Sequence, residues 1–135
     1  MELSRRVASV FAGCLGGAFL IAATVACGDG DAEVGSARLE QAGEIWDAKC
    51  AACHGPAGGG GVGPDLTDRH WVHGGSVEDI RRSIAKGFPM KGMIAYEREL
   101  SPEEIDALVA YVLELEGTDP PGAYPPQGEP VGEAP

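Results

Sequence analysis

The hydrophobic pattern divides the chain into unlike stretches. Val7 to Cys27 is 21 residues with no charged side chain, and Gly28 to Gly35 is acidic and aperiodic, which reads as a spacer over residues 28–36. Leu39, Ala42, Gly43, Ile45 and Trp46 then recur at roughly helical spacing, so the pattern predicts a short helix from Ser36 to Lys49. Ala57 to Pro64 is a glycine-dominated loop. Ser76 with Asp79 three residues on caps a helix running to about Ala85, and Gly87 and Pro89 stop it. The clearest helix starts at Ser101, with Pro102 in its first turn and Glu104 completing a capping box. Ile105, Leu108, Val109, Val112 and Leu115 form its single apolar stripe. From Gly117 to Pro135 proline, glycine and acids prevail, which predicts a disordered tail over 117–135. No stretch alternates as a strand does. The expected class is all-α, with short helices joined by loops long enough to need something large to pack on.

Arg5 and Arg6 precede the uncharged run, and small residues close it, the order of a secretory signal over residues 1–27. Ala23-Thr24-Val25-Ala26-Cys27 is similar to a bacterial lipobox, in which Cys27 would be lipidated and tether the chain to a membrane. Simple cleavage and an uncleaved apolar anchor are the alternatives. Cys14 satisfies the small-residue rule too, with a very short apolar run before it. All three fates put the remainder outside the cytoplasm, in a bacterial periplasm. What is left to fold is residues 37–116, about 80 residues, a core small enough to need a staple, a metal or a bulky apolar cofactor.

Charge narrows the partners. With 21 acids against 10 bases the chain carries −11, and loss of residues 1–27 takes one acid and two bases with it, leaving −12. Such a chain repels nucleic acid. Bases nevertheless gather in the middle, at Arg69, Arg81, Arg82, Lys86 and Lys91. They read either as an ordinarily solvated surface or as a basic docking rim on an acidic body. Of four cysteines, two fall in the leader and only Cys50 and Cys53 in the folding part.

Those two belong to Cys50-Ala51-Ala52-Cys53-His54, the c-type haem attachment spacing. Two thiols three residues apart add across the two vinyl groups on one side of a porphyrin, and the adjacent imidazole then lies beneath the iron. A zinc site would need a second ligand pair, for which only His70 and His73 stand available, at tighter spacing than usual. A thioredoxin-like pair would need a βαβ context, which the pattern lacks. Gly58, Gly60 and Gly63 satisfy G-x-G-x-x-G, but no strand precedes them and Pro64 stands where a helix should open, so no phosphate cradle is expected. A thioether is the common partner of His in electron-carrying haems. Met90 and Met93, in Phe88-Pro89-Met90-Lys91-Gly92-Met93, are the candidates downstream.

From about Gly43 to Leu115 the chain resembles class I cytochromes c, and most closely the monohaem domains in cytochrome c subunits of bacterial haem–copper oxidases. Cys50 to Gly55, Gly63-Pro64-Asp65-Leu66-Thr67, Trp71 to Ser76, Lys91-Gly92-Met93, Leu100 to Ile105 and Tyr111-Val112 carry the resemblance. It implies a cytochrome c fold of three to five short helices around one covalent haem c, with His54 and Met93 as iron ligands and Met90 as the alternative. It implies that the Pro64 carbonyl accepts a hydrogen bond from the His54 imidazole, and that Trp46 and Tyr111 join the first and last helices. Ile94 replaces the family's Pro after the ligand Met. Ala42 stands where the family prefers Gly, with Gly43 one position late. The implied function is electron transfer, not enzymatic turnover, between a redox donor and an acceptor such as a terminal oxidase. The alternatives are a haem subunit or docking module of a larger membrane oxidoreductase, and a haem-based gas sensor.

Overall fold

The computed structural model describes residues 29–131, with side chains from Gly35 onward. The leader at 1–27, with Cys14 and the Cys27 lipobox, lies outside the described residues. Four α-helices follow in chain order: α1 (Asp29–Lys49), α2 (Ala51–His54), α3 (Val77–Lys86) and α4 (Pro102–Leu115). One 3-10 turn, Pro89–Lys91, precedes α4. Two strands of two residues, β1 (His70–Trp71) and β2 (Glu129–Pro130), pair antiparallel, with His70 opposite Pro130 and Trp71 opposite Glu129.

The two capped helices form where their sequences place them. Ser76 Oγ accepts from the Asp79 amide at the start of α3. At α4, Ser101 Oγ accepts from the Glu104 amide, and the Ser101 amide donates to Glu104 Oε2 at 2.8 Å. Ile105, Leu108, Val109 and Val112 of the α4 stripe are buried against Ala42 and Trp46 of α1 and Ile80 and Ile84 of α3. Trp46, 1% exposed, is the keystone of α1 against α4. Its ring lies 5.5 Å from that of Tyr111, and its Nε1 donates to the Pro56 carbonyl at 3.1 Å. Truncating such a side chain costs about 3–5 kcal/mol. Ala42 is fully buried in this core, and a Cβ on Gly43 would stand 3.6 Å from the Tyr111 ring, an ordinary contact.

Three expectations change. Helix α1 begins at Asp29, inside the stretch read as an acidic spacer. Acidic composition suits a solvated linker, but it equally suits a helix amino terminus, whose dipole favours negative charge. Second, the segment after α4, expected to be disordered, runs back along the molecule as far as Val131 on backbone hydrogen bonds. The Gly117 amide donates to the Thr67 carbonyl at 2.6 Å, Tyr124 to Gly59 at 2.8 Å and Val131 to Arg69 at 2.9 Å. Main-chain pairing leaves no apolar period in the sequence, which is why composition alone reads it as unfolded. Third, of the two readings of the central bases the docking rim loses ground, because four of the five lie against carboxylates. Arg81 pairs with Glu78 and Asp106, Arg82 with Asp79, Lys86 with Glu97 and Arg69 with Glu116.

Candidate haem site

Helix α1 delivers the chain directly into the cysteine turn. The Cys50 amide donates to the Trp46 carbonyl at 2.8 Å, and the His54 amide to the Cys50 carbonyl at 3.0 Å, so Cys50, Cys53 and His54 sit on one tight helical turn. Tyr96 Oη donates to the Lys49 carbonyl at 3.0 Å and closes the end of α1. Burial pushes the Cys50 thiol up to about 11, and the neighbouring Cys53 adds to the rise against Lys49. Cys50 is therefore a protonated thiol at neutral pH. That is opposite to the lowered thiol of a redox-active Cys-x-x-Cys pair.

The glycine loop then wraps α2. Gly63 N–H donates to the Cys53 carbonyl and Gly60 N–H to the His54 carbonyl, both at 2.8 Å. A Cβ on Gly63 would stand 2.7–3.0 Å from three atoms of the His54 ring. The glycines bring backbone flat against the imidazole, a use unrelated to phosphate. His54 Nδ1 lies 3.0 Å from the Pro64 carbonyl oxygen. A carbonyl only accepts, so Nδ1 donates, and Nε2 keeps its lone pair for a metal. Asp65 and Thr67, both buried, lock the turn after Pro64, for Asp65 Oδ1 accepts from Thr67 N and from Thr67 Oγ1, each at 2.7 Å. The Gly-Pro-Asp-Leu-Thr run signals this turn in the sequence, but neither period nor spacing marks Asp65 and Thr67 as its lock.

The second candidate ligand comes from a loop closed at its base. Phe88 and Met93 exchange backbone hydrogen bonds, Phe88 N to Met93 O at 2.8 Å and Met93 N to Phe88 O at 3.2 Å. Gly92, with φ of 88°, makes the turn between them. This places Met93 at the base and Met90 at the apex, and the two differ sharply. Met93 is partly buried and lines the central cavity, whereas Met90 is 99% exposed and does not.

The cavity measures about 560 Å³ and brings Cys50, Cys53, His54, Pro64 and Met93 together. That volume falls within the roughly 300–1,000 Å³ of cofactor sites. Its lining is mostly apolar, with Leu66, Ile80, Ile84, Phe88 and Val112 among it. His70 and Trp71 line it as well, and His70 Nδ1 and Trp71 Nε1 are buried without a hydrogen-bond partner among the described residues. Among those residues no cluster of three metal-binding side chains occurs, which leaves the zinc reading without support. An apolar cavity, one imidazole nitrogen held ready, a thioether, two thiols and two orphaned polar nitrogens fit a haem.

The family model described as "Cytochrome C oxidase, cbb3-type, subunit III" matches residues 37–112, more than half of the chain. The chain belongs to that family. The CcoP subunit of the cbb3-type cytochrome c oxidase of Rhodobacter capsulatus is 40% identical over 80 residues, which are 50% of this chain and 27% of the relative. The corresponding subunit of Rubrivivax gelatinosus is 41% identical over 74 residues, 50% and 23% of the two chains. FixP of Azorhizobium caulinodans is 35% identical over 79 residues, 53% and 27%. This cbb3-type domain thus matches only about a quarter of the length of those relatives. In fold it is similar to crystalline cytochrome CL of the marine methylotroph Methylophaga aminisulfidivorans, with a TM-score of 0.55 at 21% identity, over 58% of this chain and 55% of that one. The domain is accordingly an all-α cytochrome c domain, the kind that holds haem c.

Proposed function

We propose that this chain is a single-electron carrier with one haem c, joined through the thiols of Cys50 and Cys53 and ligated by His54 and Met93. The observation that carries the reading is the shared cavity. His54, with Nδ1 occupied by Pro64, offers Nε2 within the same cavity that both cysteines and Met93 line. Bound there, haem c supplies a one-electron couple. The chain's own residues do the rest. His54 is oriented by the Pro64 carbonyl and faced closely by the Gly63 backbone, which hold its ring in one orientation. Met93 is pinned by Phe88, which keeps the reorganisation around a sulfur ligand small. With His54 and Met93 both holding the iron, the site would leave no coordination position for a substrate, and the domain would move electrons without making or breaking bonds.

In a second reading the domain is a haem subunit or docking module of a larger membrane oxidoreductase. The relatives favour it, since CcoP and FixP are named as subunits of cbb3-type cytochrome c oxidases. In both readings the redox acceptor is a protein such as a terminal oxidase, and the domain works in the periplasm after export, cleaved, tethered through Cys27 or held by an uncleaved leader. Among the described residues no helix is long and apolar enough to cross a membrane.

The test is protein made with a c-haem maturation system. Expected are haem retained in acidified acetone and on denaturing gels, an intact mass one haem above the processed chain, and a weak far-red sulfur-to-iron band when oxidised. Haem released by acid acetone overturns the attachment. Tight carbon monoxide binding by the reduced wild type overturns the carrier reading and points to a sensor. Co-purifying oxidase subunits would select the second reading.

A further inference from the structure

The family match ends at residue 112, yet the cavity lining continues beyond it to Tyr124 and Gln127. Both belong to the segment after α4 that folds back over the glycine loop. This segment is fastened at three places along its length: Gly117 to Thr67, Tyr124 to Gly59, and the β1–β2 ladder with Val131 to Arg69. Between the fasteners it packs on glycines. A Cβ on Gly59 would meet Pro120 and Ala123 at 2.9 and 3.3 Å, and one on Gly60 would meet the Tyr124 side chain at 3.1 Å. Gly60 is the residue whose amide bonds the His54 carbonyl. At the far end Gly128, with φ of +96°, lies so close to the Trp71 backbone that a side chain there would collide with it.

We infer that residues 117–131 are a strap forming the outer wall of the cofactor cavity on the His54 side, with Tyr124 and Gln127 as cofactor-contacting residues that hold water off the haem. The inference rests on the haem reading above. Three features carry it together. The strap is tied to the loop that orients His54. It places an aromatic ring in the lining of a cavity to which the loop after His54, Gly61 to Leu66, contributes no aromatic side chain. Tyr124 keeps 45% of its surface exposed despite those contacts, leaving ring area for a bound group to cover. The consequence is electronic. The oxidised haem carries one more positive charge than the reduced one, and water stabilises that charge. Excluding water therefore favours the reduced form and raises the potential.

The experiment uses full-length holoprotein and three variants: Tyr124→Ala, Tyr124→Phe and Gly128→Val. The first removes the ring, the second keeps it, and the third unfastens the strap at Trp71 while leaving Tyr124 intact. Potential is measured by spectroelectrochemistry, and access by the rate of oxidation with a small uncharged quinone. Tyr124→Ala and Gly128→Val are expected to lower the potential and speed quinone oxidation severalfold, with the far-red sulfur band retained. Tyr124→Phe should stay near wild type in both. A strap that only stabilises the fold would lower the melting temperature and leave both readouts unmoved. Unchanged potential and rate in both Tyr124→Ala and Gly128→Val overturn the proposal. Failure of the haem reading shows separately, as wild-type protein that yields its haem to acid acetone.

Discussion

Pro64 settles the chemistry of His54 with one contact. Donation from Nδ1 to a carbonyl fixes the tautomer and leaves Nε2 with its lone pair, so the ring is oriented by a neighbour rather than by its own motif. Gly63 keeps that contact possible, because any side chain there meets the ring. Gly63→Ala should therefore cost about 1–3 kcal/mol as an overpacked site. It should also shift the potential, because the imidazole must rotate off Pro64; thermal unfolding and voltammetry of the holoprotein check both. The methionines provide a sharper pair. Met93→Ala is expected to abolish the far-red sulfur band, lower the potential and admit carbon monoxide. Met90→Ala, at a side chain 99% exposed, should change none of these. The reverse pattern would transfer the ligand to Met90, and loss in neither would direct attention to His70 or His73. At this scale the grouping of Cys50, Cys53 and His54 on one turn was legible in the sequence, because their spacing carries it. The preference for Met93 over Met90 rested on resemblance, and the Phe88–Met93 bridge supports it by putting Met93 at the base of the loop and Met90 at its tip.

Helix starts with their own cap signals were legible to the residue. Ser76 and Ser101 announce α3 and α4, and both caps form as read. Ser101→Ala should cost about 1 kcal/mol of stability, as the loss of an N-cap acceptor does. It should leave the potential where it is, a separation that calorimetry and voltammetry would show. Asp79 adds a pH signature. The Ser76 hydroxyl, then Arg82, hold its carboxyl below the ordinary value. A carboxyl depressed in the folded state contributes its stability in full above the unfolded value, about 3.9, and loses it as pH falls through the folded one. Asp79→Asn should thus melt lower than wild type at neutral pH, and the two should converge in acid. A gap that persists at the lowest pH would mean that the cap does not depend on the charge. Elements without such signals were misread for a physical reason. Gly28 to Gly35 and the strap both lack an apolar period, and period is what sequence reading detects. Of the first, residues 29–35 are helix, and the second is held by backbone pairing and by glycines that let chains approach closely.

At the scale of the whole molecule, charge decides how the domain meets other redox centres. The sequence offers a cluster of bases in its middle, and the fold disarms it. Arg81, Arg82 and Lys86 each lie against a carboxylate, and so does Lys49 on the cavity lining, through Glu99 at 2.7 Å. Among the described residues that line the cavity, Lys91 is the one lysine without an ion pair. One cation does not make a rim on a chain carrying −11. Long-range steering follows the summed field and not the sequence neighbourhood, so the domain should attract cations to its redox site and repel anions. Two small reagents of opposite charge test this without knowledge of the natural partner. Oxidation of the reduced holoprotein by anionic ferricyanide should accelerate as salt is added, because salt screens a repulsion. Oxidation by a cationic cobalt(III) complex should slow. Both trends should flatten above physiological ionic strength, where the Debye length falls below about 8 Å. Lys91→Glu should strengthen both slopes, whereas Arg81→Glu should change them less, since Arg81 is already shared between Glu78 and Asp106 and sits away from the cavity lining. Stopped-flow rates at several salt concentrations decide the matter. Ferricyanide oxidation that slows with salt would restore the local basic rim, and would mean that the ion pairs of α3 open when a partner approaches.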